Sequence, residues 1–301
     1  MKNLHIEILP ELRDPMFVLA FEGWNDAARS ATIAARFLIN QYRGKRFAWF
    51  GPDEFFQYSD QRPLVRLDRD GNRKISWPEN AFYYCKHPDL SRDLVVCVGV
   101  EPQLRWKTFS QDVLELVQVC KSRLAVTMGA LLAGLSHTEP PELVCLATDP
   151  SLADRTGVAA TKYEGPTGIV GVIHTQFQNA RIPAVSLWAN IPHYISSLPN
   201  PKAAHALLDR LGATGEVRFD LSELQKSVDQ FDSQIKEAIE DRPEIARLLS
   251  QTDLWNARAE KDLDEDEEAQ GTEPEELPSG EELADEIQSF FRRRKNGNSS
   301  D

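Results

Sequence analysis

No stretch of this chain stays apolar for the roughly 20 residues that a membrane-spanning helix needs, so no membrane contact is expected. The start, Met1-Lys2-Asn3-Leu4-His5, has no basic region followed by an apolar run, and no secretory signal is expected. Cysteine is scarce. Cys85, Cys97, Cys120 and Cys145 stand far apart and form no CxxC pair, which argues against zinc and thioredoxin-like sites and for buried thiols in a reducing cytoplasm. Catalytic signatures are missing too. There is no phosphate loop ending in Gly-Lys-Ser/Thr, no GxGxxG after the first strand-like run, no HExxH and no GxSxG. His137, His174 and His193 are not at metal-ligand spacing. No metal and no cofactor is expected.

Positive charge is also lacking. The net charge is −13, and residues 260–301 hold fifteen acidic and five basic side chains, a net of −10 that leaves −3 for the rest. A nucleic-acid-binding body needs a basic face, so no nucleic-acid partner is expected. Three hundred and one residues, 41% of them apolar, suffice for one large domain or a domain with an appendage.

Two patterns alternate along the body. Residues 16–21, 46–50, 81–85, 94–100, 124–128, 143–148 and 184–188 are apolar, rich in β-branched and aromatic types, and read as strands covered on both faces. Helical periodicity occupies 26–42, 107–121, 169–180 and 202–211. The alternation predicts an α/β sandwich with a mostly parallel sheet. Asp70-Gly71-Asn72 reads as the turn of a hairpin joining 64–67 to 73–76, either peripheral or paired with a neighbouring subunit.

Leu224, Val228, Phe231, Ile235 and Ile239 recur at helical spacing, Asp241-Arg242-Pro243-Glu244 breaks the helix, and Ile245, Leu248, Leu249 and Trp255 suggest a second one. The division expected is an α/β body at 1–216, a helical hairpin at 217–258, and an acidic, disordered tail at 259–301. The hairpin's apolar stripe must be covered by the body or by another chain. Within the tail, Leu283, Ile287, Phe290 and Phe291 line one side of a potential helix that ends in Arg292-Arg293-Arg294-Lys295, so the tail is either an interaction motif or a solubilising segment.

Unusual residues cluster where strands give way to helices, the usual ligand crevice of an open parallel sheet. They are Gly23, Trp24, Asn25 and Asp26; Glu101, Arg105 and Trp106; Tyr163, Glu164, Gly165, Thr167 and Gly168; and Trp188 and His193, with His137 folding over the same rim. Singly, each has a structural reading: Asn25 or Asp26 caps a helix, Glu101 and Arg105 form an ion pair, and the tryptophans pack. Together they suggest a pocket for a small molecule or a partner. Glu101 and Glu164 would make an acid/base pair if close, and Ser136, His137 and Asp149 a nucleophilic triad, but nothing in the spacing selects either.

The ordered strings Gly23-Trp24-Asn25-Asp26, Glu101-Pro102-Gln103-Leu104-Arg105-Trp106, Tyr163-Glu164-Gly165-Pro166-Thr167-Gly168 and Ser186-Leu187-Trp188-Ala189-Asn190-Ile191-Pro192-His193-Tyr194 resemble the proteasome assembly chaperone 2 family, most of all its bacterial branch. Gly129-Ala130-Leu131-Leu132 and Asn200-Pro201-Lys202-Ala203 fit the same pattern. The resemblance implies a three-layer α/β/α body similar to phosphorylase and hydrolase folds, followed by a small helical region. It also implies a protein partner, since eukaryotic relatives pair to hold proteasome α-subunits during ring assembly. Some relatives engage the proteasome through a C-terminal hydrophobic–tyrosine–any-residue signature. This chain ends Asn298-Ser299-Ser300-Asp301, so that route is not expected.

The functional expectation is a non-enzymatic, homo-oligomeric cytoplasmic assembly or scaffolding chaperone linked to protein turnover. The alternatives are a small-molecule binder or hydrolase/phosphorylase-like enzyme at the strand-end crevice, and a structural subunit whose rim locks an oligomer.

Overall fold

The computed structural model describes residues 1–240. The second helix expected after Asp241 and the acidic tail lie outside the described residues. In chain order the elements are β1 (Leu4–Ile6), β2 (Met16–Glu22), α1 (Ser30–Gln41), β3 (Lys45–Phe50), β4 (Leu64–Leu67), β5 (Arg73–Ser76), β6 (Asn80–Cys85), β7 (Leu94–Val100) and α2 (Trp106–Val119). Then follow β8 (Leu124–Ala133), β9 (Leu143–Ala147), α3 (Pro150–Thr156), β10 (Ala159–Ala160), α4 (Ile169–Asn179), β11 (Ala184–Pro192), α5 (Pro201–Gly215) and α6 (Ser222–Glu240).

Nine strands form one sheet in the order β1-β3-β6-β7-β2-β8-β11-β9-β10. The four central strands, β7, β2, β8 and β11, are parallel. On one flank β1, β3, β6 and β7 pair antiparallel, and on the other β9 runs against β11. The sheet is therefore mixed, with its parallel part at the centre. Parallel neighbours need a crossover, which α1, α2 and α4 supply, whereas β6 and β7 are joined by a short loop and must turn back.

Alternation along β2 divides the core. Met16, Val18 and Ala20 pack with Ala31, Ala35 and Leu38 of α1 and Leu207 and Leu211 of α5. Phe17, Leu19 and Phe21 pack on the opposite face with Phe109 and Val113 of α2 and Ile173 and Phe177 of α4. All four cysteines are buried and free. Helix α6 lies along α5 and buries Leu224, Val228, Phe231 and Ile235, so the body itself covers this stripe, at roughly 1.5–3 kcal/mol per side chain.

The hairpin forms at the expected residues. The Asp68 carboxylate accepts from the backbone N–H groups of Asp70 (3.0 Å) and Asn72 (2.9 Å), which closes the turn. Every residue of β4 and β5 is exposed. At its base Trp77 packs against Tyr58, with ring centroids 4.9 Å apart.

Candidate functional site

The carboxyl ends of β2, β7, β8 and β11 point to one end of the sheet, the rim. Its centre is Glu101, just past β7. One oxygen of Glu101 accepts from Asn25 Nδ2 at 2.6 Å and from the backbone N–H of Ile169 at 2.8 Å. A single carboxylate thus ties the loop after β2 to the first turn of α4, where the helix dipole favours negative charge. Asn25 is fully buried, and its backbone carbonyl accepts from Ala130 N at 2.8 Å. Gly168 has an ordinary backbone (φ −96°), but a Cβ there would lie 2.3 Å from the Asn25 amide atoms and 2.6 Å from Glu101 Oε1. Gly23 is needed for its conformation, φ +136°.

The remaining expected residues do not join this centre. Asp26 turns toward α1 and caps it, accepting from Ala31 N at 2.7 Å and from the Thr32 hydroxyl at 2.5 Å. Burial pushes its carboxyl up to about 6, against the opposing pull of those hydrogen bonds. Arg105 is ion-paired with Glu54, its guanidinium 5.8 Å from the centre of the Phe55 ring, and not with Glu101. Trp106 donates its indole N–H to the Pro102 carbonyl. Tyr163 donates to its own loop at Pro166 O (3.0 Å), and Glu164, Gly165 and Thr167 are exposed. Trp188 donates to Ser186 Oγ at 2.8 Å and lies so close over Gly129 that a Cβ there would meet the ring at 2.5 Å.

His137 and His193 meet at Tyr194. The hydroxyl of Tyr194 accepts from His137 N at 2.8 Å, and the His193 and Tyr194 rings are 5.5 Å apart. They flank a cleft of about 230 Å³ lined by Ser136, Glu142, Asn190 and Asn200. Asp149 instead caps α3, accepting from Ser151 N at 2.8 Å, and lines a different cleft beside Arg181 and Pro183. A triad of Ser136, His137 and Asp149 is thereby excluded.

Glu101, Asp26 and Arg105 are thus held within the fold, the side-chain oxygen of Asn25 is buried without a hydrogen-bond partner among the described residues, and large apolar side chains face solvent at the rim beside Glu164 and Thr167. Trp24 is 58% exposed, and Leu104, Leu131, Leu132 and Tyr163 are exposed beside it. The hairpin springs from the same end, since β3 finishes and β6 starts there, and adds Leu64, Val65, Leu67, Ile75 and Trp77. Ten of the fourteen exposed large apolar side chains among the described residues therefore gather on one end. Sequence reasoning picked out Trp24 and Tyr163 but not the leucines or the hairpin side chains. The readable signal was Leu131-Leu132 at the end of a strand and the period-2 placement of Val65 and Leu67.

The opposite end, the base, holds a cleft of about 750 Å³ with Arg92, Arg123, Arg155 and Arg181 in its lining. Arg92 pairs with Asp14 at 2.7 Å and Arg155 with Glu216 at 3.0 Å. No described helix is long and apolar enough to cross a membrane.

The sequence profile of the PAC2 family matches residues 20–239. The chain is 40% identical to a PAC2 family protein from Streptomyces avermitilis, over 74% of this chain and 95% of that one, with a TM-score of 0.70. It is 36% identical to a proteasome-assembly chaperone homologue from Mycobacterium tuberculosis, over 74% and 94%, with a TM-score of 0.69. An archaeal proteasome activator from Pyrococcus furiosus is 20% identical over 79% and 99%, with a TM-score of 0.62, a likeness of fold alone. No curated protein matches the chain.

Proposed function

The chain belongs to the PAC2 family, and from that premise we propose that it is a non-enzymatic assembly or scaffolding chaperone that holds a protein partner, a proteasome subunit, against the rim. The observation that carries this reading is the gathering of exposed apolar side chains at the rim and its hairpin. Contiguous exposed apolar surface of this kind marks a protein contact. Glu101, Asp26 and Arg105 are each held by groups of the fold, which leaves none poised for proton transfer or anion binding there. The M. tuberculosis relative, described as a proteasome-assembly chaperone homologue, points to the class of partner. We take the body as residues 1–216, a helical hairpin appendage as 217–258 and an acidic tail as 259–301, and the setting as the cytoplasm, with the chain acting as a homo-oligomer.

The test is co-expression of the full chain with the proteasome subunits of its own organism, followed by size-exclusion chromatography and native mass spectrometry. A stoichiometric complex is expected, weakened about tenfold or more by Trp24→Ser or Leu132→Ser, as for a contact worth about 1.4 kcal/mol. No complex, or one indifferent to both variants, overturns the reading.

A further inference from the structure

We infer that the acidic segment 260–276 of this chain docks on the basic face of the β4–β5 hairpin and braces it. Alternation gives this two-stranded ribbon two unlike faces. The register pairs Arg66 with Lys74 and Leu64 with Ser76 on one face, and Val65 with Ile75 and Leu67 with Arg73 on the other. Directly opposed cations repel, and a ribbon exposed on both faces is marginally stable in water. Lys74 reaches Asp68 at 3.3 Å, but Arg62, Arg66, Arg69 and Arg73 have no carboxylate within ion-pair distance among the described residues. Residues 62–74 hold five basic and two acidic side chains in a chain whose net charge is −13. The hairpin is thus a basic island with both faces uncovered among the described residues.

The chain carries the matching charge. Residues 260–276 hold ten acidic side chains and one basic. They also start from the right end of the molecule. Helix α6 begins near the base, where Asp220 N donates to the Tyr42 hydroxyl at 3.2 Å, and runs toward the rim, where Asp232 pairs with Lys202 in the first turn of α5 at 3.6 Å. The twenty residues from Glu240 to Glu260 span at most about 70 Å. Nine strands at about 4.8 Å spacing are about 40 Å across, so the segment reaches the hairpin of its own chain. An effective concentration near millimolar favours that contact over one with a second copy. Covering the basic face leaves Val65, Leu67 and Ile75 turned outward and ordered.

Carbodiimide cross-linking of a mixture of isotopically light and heavy full-length chain, mapped by mass spectrometry, tests this. Lys74 is expected to join carboxylates between 260 and 276 within one isotopic chain, with a yield that survives tenfold dilution. The yield should fall about fivefold or more in 1 M salt, where the screening length is about 3 Å, and likewise in Arg66→Glu. The Lys74–Asp68 link in the same digest reports that Lys74 stays reactive and the turn intact. Deleting 260–301 should speed amide exchange over 64–76 about fivefold, the sign of a lost brace. Links found only between light and heavy chains would make a second copy the occupant and overturn the proposal. So would the absence of any link to 260–276 when the reference link is present. Neither outcome bears on the partner at the rim, which the co-expression experiment tests separately.

Discussion

At the rim, one glycine stands where the backbone is ordinary and space is short. At the base, arginine, lysine and glutamate stand where the backbone is left-handed. Gly168 shows the first case, with Asn25 and Glu101 filling the volume a side chain would take. The second case recurs at four helix ends. Arg43, Lys121, Arg181 and Glu216 have φ between 50° and 56° and follow α1, α2, α4 and α5. In each, the next N–H reaches back to the fifth carbonyl before it: Gly44 to Ile39 at 2.7 Å, Ser122 to Val117 at 3.1 Å, Ile182 to Phe177 at 2.9 Å and Val217 to Gly212 at 2.9 Å. These are Schellman caps, in which glycine is the usual left-handed residue. A side chain there costs about 1–2 kcal/mol, and a cation at the negative helix end returns about 0.3–1 kcal/mol. The base is thus charged outside and the rim apolar outside, while both are tight inside, since a Cβ on Gly215 at the base would lie 2.5 Å from Met16 Sδ. An exposed apolar end favours contact with another protein more than a charged cleft does, which supports the proposed contact at the rim.

The comparison is broken most easily at Glu101. Glu101→Ala strands the buried Asn25 amide and the first N–H of α4, at an expected cost of about 2–4 kcal/mol in urea denaturation. Gly168→Ala should cost about 1–3 kcal/mol through overpacking. The matching changes at the base, Arg123→Ala and Arg181→Ala, should stay within about 0.5 kcal/mol. If Glu101→Ala were equally mild, the Glu101 carboxylate would not be what ties the loop after β2 to α4.

Asp26 sharpens the comparison through pH. Its folded pKa, about 6, lies above the ordinary 3.8, so the fold binds this proton more tightly than the unfolded chain does. The stabilisation is full below pH 3.8 and is lost as pH rises through about 6, amounting to about 3 kcal/mol. Asp26→Asn removes the dependence. Between pH 4 and pH 7.5 the parent chain should lose about 2.4 kcal/mol more stability than the variant. Parallel curves would mean that water reaches Asp26 and that this part of the rim is loose.

Local signals were legible and distant pairings were not. Asp70-Gly71-Asn72 fixed the hairpin because a turn needs only its own residues. Helix α4 starts where Gly168 predicted, and the strands 94–100 and 16–21 follow from their apolar runs. Helix α3 is absent from the periodic segments although Asp149 followed by Pro150 is a cap and a first-turn proline. The edge strands β1 and β10, three and two residues long, are too short to show a period. The antiparallel flanks were missed because apolar runs carry no direction. At the site, the residue types at the rim were picked out, but their partners were not. Asn25 meets Glu101 across 76 residues and Ile169 meets it across 68, separations at which one sequence holds no pairing information. Arg105 found Glu54 and not Glu101 for the same reason.

The smallest effect is expected at Lys121, and it decides whether charge or strain governs the base. Lys121→Gly relieves a left-handed side chain (φ 54°), a gain of about 1 kcal/mol, and removes a cation from the end of α2, a loss of about 0.3–1 kcal/mol. The net is a stabilisation of about 0.5 kcal/mol at low salt. Salt screens the charge and leaves the strain, so the gain should rise toward about 1 kcal/mol in 1 M salt. Denaturant melts of both chains at two ionic strengths measure it. A variant less stable at both salt concentrations would mean that Lys121 holds the helix end by contacts other than charge. The left-handed end of α2 would then be set by those contacts, and neither charge nor strain would account for the difference between the two ends.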